Sequence, residues 1–354
     1  MYLDSFFIHN ILFSVIIKQI YIMKVLCFLQ FEEILVCGGG QCYSYHTREK
    51  QLKLVCSYAT DIYYVANIES TEGIKLIFIG DKSIKQSNYV FLLEYVSVWK
   101  SVIASKQTGN ELIPFVTSDN KSIVITNEGD YEGSRAVIGG KKKNLLFITS
   151  FPRHIEVFDL NTCKIVAYST LPIGEHCIRH HCFVKKKQNS NEMIFFYGNS
   201  GLSIGYDEDS NTFQFRNLRV CSSMRYITNY AYVYINDIIL FFGGRNANQL
   251  DTSKIVHKYS ITENTWLKFE NTLTSPLVDA CAISSQNSTM IYMFEGICKG
   301  NAPQIWHTHL SGWMQEETET EKQWMQQEQE KMQLEDIKNE LASVTHEIHF
   351  KDFK

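Results

Sequence analysis

Apolar runs recur along most of the chain in pairs, two strand-like runs joined by a short polar turn, the second ending in glycine or a small residue. The clearest pair occupies residues 229–244, NYAYVYINDIILFFGG, and closes on Gly243-Gly244. Five more follow the same grammar at residues 25–39, 61–80, 134–150, 180–198 and 279–296. Each reads as a β-hairpin. Near-continuous apolar runs belong to strands buried on both faces, so these hairpins are expected to stack against one another rather than face water. The second runs end near positions 39, 80, 149, 198, 243 and 296, about 41 to 53 residues apart except for one gap of about 69. The long gap predicts an insertion between Trp99 and Ser134, read as a surface excursion, with a degenerate seventh unit as the alternative.

A second pattern lies downstream of each hairpin. An aromatic is followed, after six intervening residues, by a large apolar residue at Tyr45/Leu52, Tyr206/Phe213, Tyr259/Trp266 and Trp306/Trp313, with Leu92/Trp99 in the same register. Phe158, with Cys163 beyond it, is a weaker instance. Such residues suit the wedge between packed sheets, where the ring is buried and its polar atom keeps a partner. In residues 236–266 the whole set occurs together: apolar strand, Gly243-Gly244, fourteen residues, Tyr259, six residues, Trp266. That stretch resembles the kelch repeat. The resemblance implies an all-β, kelch-type β-propeller of six four-stranded blades over residues 23–313, followed by a C-terminal α-helical tail. It also implies that Gly38, Gly39, Gly243, Gly244, Tyr259 and Trp266 are structural. Propellers include both enzymes and binding scaffolds, so the resemblance leaves activity open.

The two ends follow other rules. From residue 314 to 354 there is no Gly or Pro, and the segment carries eleven acidic against five basic side chains, so it is expected to be an acidic helix. Leu334, Ile337, Leu341, Val344 and Ile348 form one apolar stripe, open to three uses: packing on the propeller, self-association through residues 334–348, or a partner. Residues 1–22 are hydrophobic, but His9-Asn10 and Lys18-Gln19 interrupt the run, which fits neither a membrane span nor a signal peptide well. A membrane-associated propeller anchored by residues 6–23 is therefore an alternative rather than the main reading.

Candidate chemistry is sparse. The net charge of −4 offers no basic field for nucleic acid. Ten scattered cysteines fit free thiols in a reducing, cytoplasmic compartment. The segment EHCIRHHC (His176, Cys177, His180, His181, Cys182) looks like a metal cluster, yet it runs into a strand, which would send His180 and Cys182 to one face and His181 to the other. Gly38-Gly39-Gly40 lacks the Gly-Lys-Ser/Thr ending of a phosphate loop. Neither metal nor cofactor is expected, and a propeller enzyme of copper-oxidase or hydrolase type is a lesser alternative. The expectation is a non-catalytic scaffold that binds an unidentified protein through loops at one end of the propeller. Tyr43, Arg153, His154, Arg245 and Asn246 are the leading contact residues, with Gln41, Lys82, Asn199 and Lys299 in equivalent loops.

Overall fold

The computed structural model describes residues 26–30, 32–38, 40–58, 61–70, 73–81, 88–99, 110–116, 123–125, 130–186, 191–246, 251–295 and 304–351. The 1–22 segment, Gly39, Lys82 and Lys299 lie outside the described residues. All six expected hairpins form the openings of antiparallel sheets. The first sheet runs β1 (Leu26–Gln30), β2 (Glu33–Gly38), β3 (Gln41–His46), β4 (Gln51–Ser57), and the second β5 (Asp61–Ser70), β6 (Gly73–Asp81), β7 (Asn88–Tyr95), β8 (Ile113–Pro114), with β9 (Val124–Ile125) also on β7. The third is β10 (Arg135–Gly139), β11 (Leu145–Ser150), β12 (His154–Asp159), β13 (Lys164–Thr170). The fourth is β14 (Cys182–Lys185), β15 (Glu192–Tyr197), β16 (Ser200–Asp207), β17 (Thr212–Leu218). A two-stranded ribbon, β18 (Ile227–Thr228) with β21 (Arg245–Asn246), flanks the fifth sheet, β19 (Ala231–Ile235), β20 (Ile238–Phe242), β22 (Ile255–Ser260), β23 (Thr265–Thr272). The sixth has three described strands, β24 (Ala280–Ser284), β25 (Met290–Glu295) and β26 (Gln304–His309).

The sheets close into a circle. The first strands converge, β10 touching β5 and β14, and β24 touching both β19 and β1. One apolar cluster fills each gap between neighbours. Leu35 and Phe78 share the gap between the first and second sheets, Ile79 and Ile148 the next, and Phe147 and Phe195 the third. Phe196 meets Phe241, Leu240 meets Met293, and Ile34 with Tyr45 meets Phe294 to complete the turn. Alternate residues of one strand serve opposite gaps, as pleating requires: Phe195 faces back and Phe196 faces forward. This is β-propeller architecture. First strands are innermost, so the terminal glycines close the second strand rather than the inner one. Gly243 and Gly244 adopt φ of 64° and 98°. A Cβ at Gly243 would lie 2.3 Å from the Leu277 carbonyl oxygen, so both conformation and space demand glycine there.

The seven-residue aromatic offset is a cross-strand register. Tyr45 pairs with Leu52, Tyr206 with Phe213 and Tyr259 with Trp266, each across the third and fourth strands of its sheet. Phe158 pairs with Ile165 in the same way, so the third sheet obeys the rule through Ile165 rather than Cys163. Each tyrosine leans back on the preceding sheet, Tyr206 on Phe147 and Tyr259 on Phe196 at centroid distances of 5.2 and 4.8 Å, and Tyr45 on Phe294 at 5.8 Å. Five residues on, the turn takes a left-handed residue: Lys50, Cys163, Asn211 and Asn264 have φ of 52°, 56°, 54° and 55°. At the last two the asparagine Oδ1 accepts the tyrosine hydroxyl at 2.6 and 2.7 Å.

Three expectations change. Residues from the long insertion do not form a free excursion, because Ile113–Pro114 and Val124–Ile125 both pair with β7 and Ile123 and Tyr131 are buried. Leu92 therefore pairs with Ile113, and Trp99 instead donates its indole N–H to Ser44 Oγ at 2.8 Å. Trp313 does not sit across from Trp306, since the chain leaves β26 in a 3-10 turn, Leu310–Trp313, and buries Trp313 between Phe242 and Phe269. The tail is a helix, α1 (Glu319–Lys351), as expected, and the described members of its apolar stripe, Leu334, Ile337 and Leu341, are exposed rather than packed on the propeller. The helix starts with a capping box, in which Thr318 Oγ1 accepts the Glu321 N–H at 3.2 Å and Thr318 N–H donates to Glu321 Oε2 at 3.0 Å. Among the described residues, no helix is long and apolar enough to cross a membrane.

Candidate functional site

In a meandering four-stranded sheet, the turn from second to third strand and the link to the next sheet leave by the same end. On that end, at the fourth sheet, lies an open cleft of about 890 Å³. Its walls are the third-to-fourth link with Pro172, Ile173 and His176, the β15–β16 turn with Gly198 and Asn199, and the link after β17 with Arg219, Arg225 and Tyr226. Glu335 of α1 closes one side.

The fold holds the cleft arginines through its own signature residues. Trp266 donates its indole N–H to the Arg219 carbonyl oxygen at 2.8 Å, so the aromatic that fills the gap between sheets also fixes the start of the arginine-bearing link. Turns with Met224 N–H on the Cys221 carbonyl at 3.0 Å and Ile227 N–H on the Met224 carbonyl at 2.9 Å then present Arg225 and Tyr226 outward. Arg225 donates to both Glu335 carboxylate oxygens, at 2.7 and 2.6 Å, and its Nε to the Val220 carbonyl at 3.2 Å. Arg219 pairs with Asp336 and donates to the Met332 carbonyl at 3.1 Å. The Arg225 guanidinium holds the Glu335 carboxyl below its ordinary range, and Glu335 raises Arg225 in turn. Tyr226 is 55% exposed, the largest exposed aromatic at the rim.

The expected contact residues distribute unevenly around this cleft. Asn199 lines it. Arg245 and Asn246 pair with Thr228 and Ile227, and Thr228 is in the wall, so this pair adjoins the cleft without lining it. Both are half-buried strand residues, and Arg245 Nε is buried with no hydrogen-bond partner among the described residues. Arg153 occupies the β11–β12 turn, where its carbonyl accepts the Leu171 N–H at 2.8 Å, and His154 starts β12 with its ring edge-on to Tyr168 at 5.0 Å. Tyr43 is not in a loop. It lies within β3, half-buried against the Ile34–Tyr292–Phe294 cluster, with its hydroxyl on Gln41 Oε1 at 2.8 Å. Gly38 ends β2.

The His/Cys segment disperses. His176 and Cys177 are exposed, while His180 precedes β14 with φ of 61° and stacks beside Gly133. That left-handed turn breaks the alternation expected from a strand. His181 meets Thr149 Oγ1 at 2.5 Å, and Cys182 is core between the fourth and fifth sheets. Among the described residues, no group of three or more His, Cys, Asp or Glu is placed to hold a metal ion.

Arg219, Arg225, Tyr226 and Glu335 were not among the residues singled out from sequence. The available signal was a pair of arginines and a tyrosine in RVCSSMRY, within a link between hairpins, facing an acidic tail elsewhere in the chain.

Comparison with known proteins informs the fold alone. No family model matches the chain, and no curated protein matches it. A solved structure described as the structure of YjhT is similar, with a TM-score of 0.54 and 10% identity over 81% of this chain and 94% of that one. In all, 827 solved chains match, so the architecture is widespread and fixes no activity by itself.

Proposed function

We propose that this chain is a six-bladed, kelch-type β-propeller that acts without catalysis, as a cytoplasmic module binding a partner protein through the end that carries the cleft. The blade count is supported by the six apolar clusters that pair successive sheets around the circle. The kelch assignment is supported by the diglycine and by the third-to-fourth-strand register at Tyr45, Phe158, Tyr206 and Tyr259. Cys37, Cys42, Cys56, Cys163, Cys177, Cys182, Cys221 and Cys281 are free, in keeping with a reducing compartment.

The observation that carries the binding role is the cleft itself. Rigid strands hold variable loop side chains at one open end, with an exposed tyrosine and two arginines at the rim, the residue types that dominate protein interfaces. The test is affinity capture with mass spectrometry on the unchanged chain and on Tyr226→Ala/Asn199→Ala. The double variant is expected to lose its partners while its thermal unfolding stays where it was. Retention of every partner would remove the cleft from the binding surface.

A further inference from the structure

Tail and propeller meet along one line of carboxylates. Glu321, Glu328 and Glu335 stand seven residues apart, which puts them on one face of α1, and each takes a donor from the propeller. Glu321 accepts the Glu270 backbone N–H at 2.9 Å. Glu328, buried, accepts both the Ser222 N–H and the Ser222 hydroxyl at 2.6 Å. Glu335 takes both arms of Arg225.

The two halves of the contact differ. Around Glu321 and Glu328 the helix also buries apolar surface, since Trp324 and Met332 pack on the Phe196–Trp266 cluster and Met325 on the Leu240–Met293 cluster. From Glu335 onward the described contacts to the propeller are polar, and the apolar side chains Ile337 and Leu341 point to water. Ion pairs at groups this exposed, with 26–38% of the Arg225, Arg219 and Glu335 side chains accessible, are individually weak and screened by salt. The distal half is thus held where the proximal half is anchored.

We infer that Arg219 and Arg225 are the receptor for an acidic segment of the partner protein, and that Glu335 and Asp336 occupy that receptor within the chain itself until the partner displaces them. This rests on the cleft being the binding surface, as proposed above. The molecule shows the chemistry its receptor accepts: adjacent carboxylates on a helix, one bidentate on Arg225 and one on Arg219. A bidentate guanidinium–carboxylate pair is specific in geometry, so an acidic protein segment fits better than a diffuse negative charge. Among the described contacts, release breaks exposed ion pairs, while Trp324, Met325 and Met332 keep the proximal helix in place.

The test uses the full chain and a fluorescein-labelled peptide of residues 328–341, read by fluorescence anisotropy. Glu335→Gln/Asp336→Asn, which frees the arginines, is expected to bind the peptide about fivefold tighter than the unchanged chain, the upper end of what one exposed ion pair makes. Adding Arg219→Gln/Arg225→Gln should remove the gain, as should a peptide carrying Gln and Asn at the two acidic positions, and about 0.5 M salt should shrink it. Equal binding by the unchanged and freed chains, or a gain that survives the arginine changes, overturns the inference. Light scattering that shows the freed chain as a dimer would assign the receptor to a second copy and overturn the partner assignment. Partner capture separates this from the parent reading. If Tyr226→Ala/Asn199→Ala loses partners and Arg219→Gln/Arg225→Gln does not, the cleft stands and the acidic receptor falls. If neither variant loses partners, the cleft reading falls as well.

Discussion

The fifth and sixth sheets carry the same aromatic spacing and use it differently. In the fifth, Tyr259 and Trp266 face each other across β22 and β23, and Trp266 packs on Phe196 and Phe241. In the sixth, Trp306 stays on β26 while Trp313 turns back to Phe242 and Phe269 of the fifth sheet. The turn decides between them. Position five after Tyr259 is Asn264, left-handed and bonded to the tyrosine hydroxyl, so the chain reverses into a strand. Position five after Trp306 is Ser311, inside a 3-10 turn, and the chain leaves the sheet. Spacing places the aromatics, but turn chemistry decides whether they become cross-strand neighbours.

Truncating the two tryptophans tests this contrast most strongly. Trp266→Ala should cost about 3–5 kcal/mol in urea unfolding, as it opens a cavity beneath Phe196 and Phe241 and leaves the Arg219 carbonyl without its donor. Trp313→Ala should fall at the lower end of that range, because among the described residues its indole bonds a side-chain hydroxyl, that of Thr308 at 3.1 Å, rather than a backbone carbonyl. A larger loss at Trp313 would mean that the 3-10 turn, not the β-register, holds the fifth sheet. A more gradual effect, smaller per pH unit, comes from His257, buried on β22 with Nε2 at 2.8 Å from Ser223 Oγ. Burial, then Lys268, lowers it to about 3 from 6.5, so below pH 6.5 the unfolded chain takes up a proton that the folded chain refuses. Stability should be full above that pH and decline as pH falls toward 3, by at most about 1.4 kcal/mol per pH unit. His257→Gln should flatten that slope in denaturant titrations across the window. The smallest effect tests the turn itself. Asn264→Ala should cost about 1–2 kcal/mol, from a left-handed alanine and a lost hydrogen bond, whereas Ser311→Ala should stay within about 0.5 kcal/mol in thermal unfolding.

Much of the fold was legible because strand pairs stacked on both faces leave long apolar runs, and those runs mark all six hairpins. The third sheet's register was missed because Phe158 was set against Cys163, whereas Ile165, after six intervening residues, is the large apolar residue it pairs with. Among the uses left open for the tail, the described contacts narrow the choice for a physical reason. An apolar stripe is the usual docking face of a helix, but here Glu321, Glu328 and Glu335 dock onto donors that the propeller loops leave unpaired by strands, and Leu334, Ile337 and Leu341 face out. The cleft was least legible. Asn199 could be placed from its hairpin, but Arg219, Arg225 and Tyr226 come from a link with no periodicity, and Glu335 meets them from 110 positions away along the chain.

The closure between the first and last sheets sets an order on how the protein can be made. Ile34, Val36 and Tyr45 leave a ribosome about 250 residues before the surface they cover, Tyr292 and Phe294. Until then the first sheet presents a bare apolar flank, and each new sheet only moves the open gap along. The nascent chain therefore carries an adhesive edge until the sixth sheet is made. A truncation before residue 290 should leave that edge exposed for good and yield a species that clumps rather than a smaller propeller.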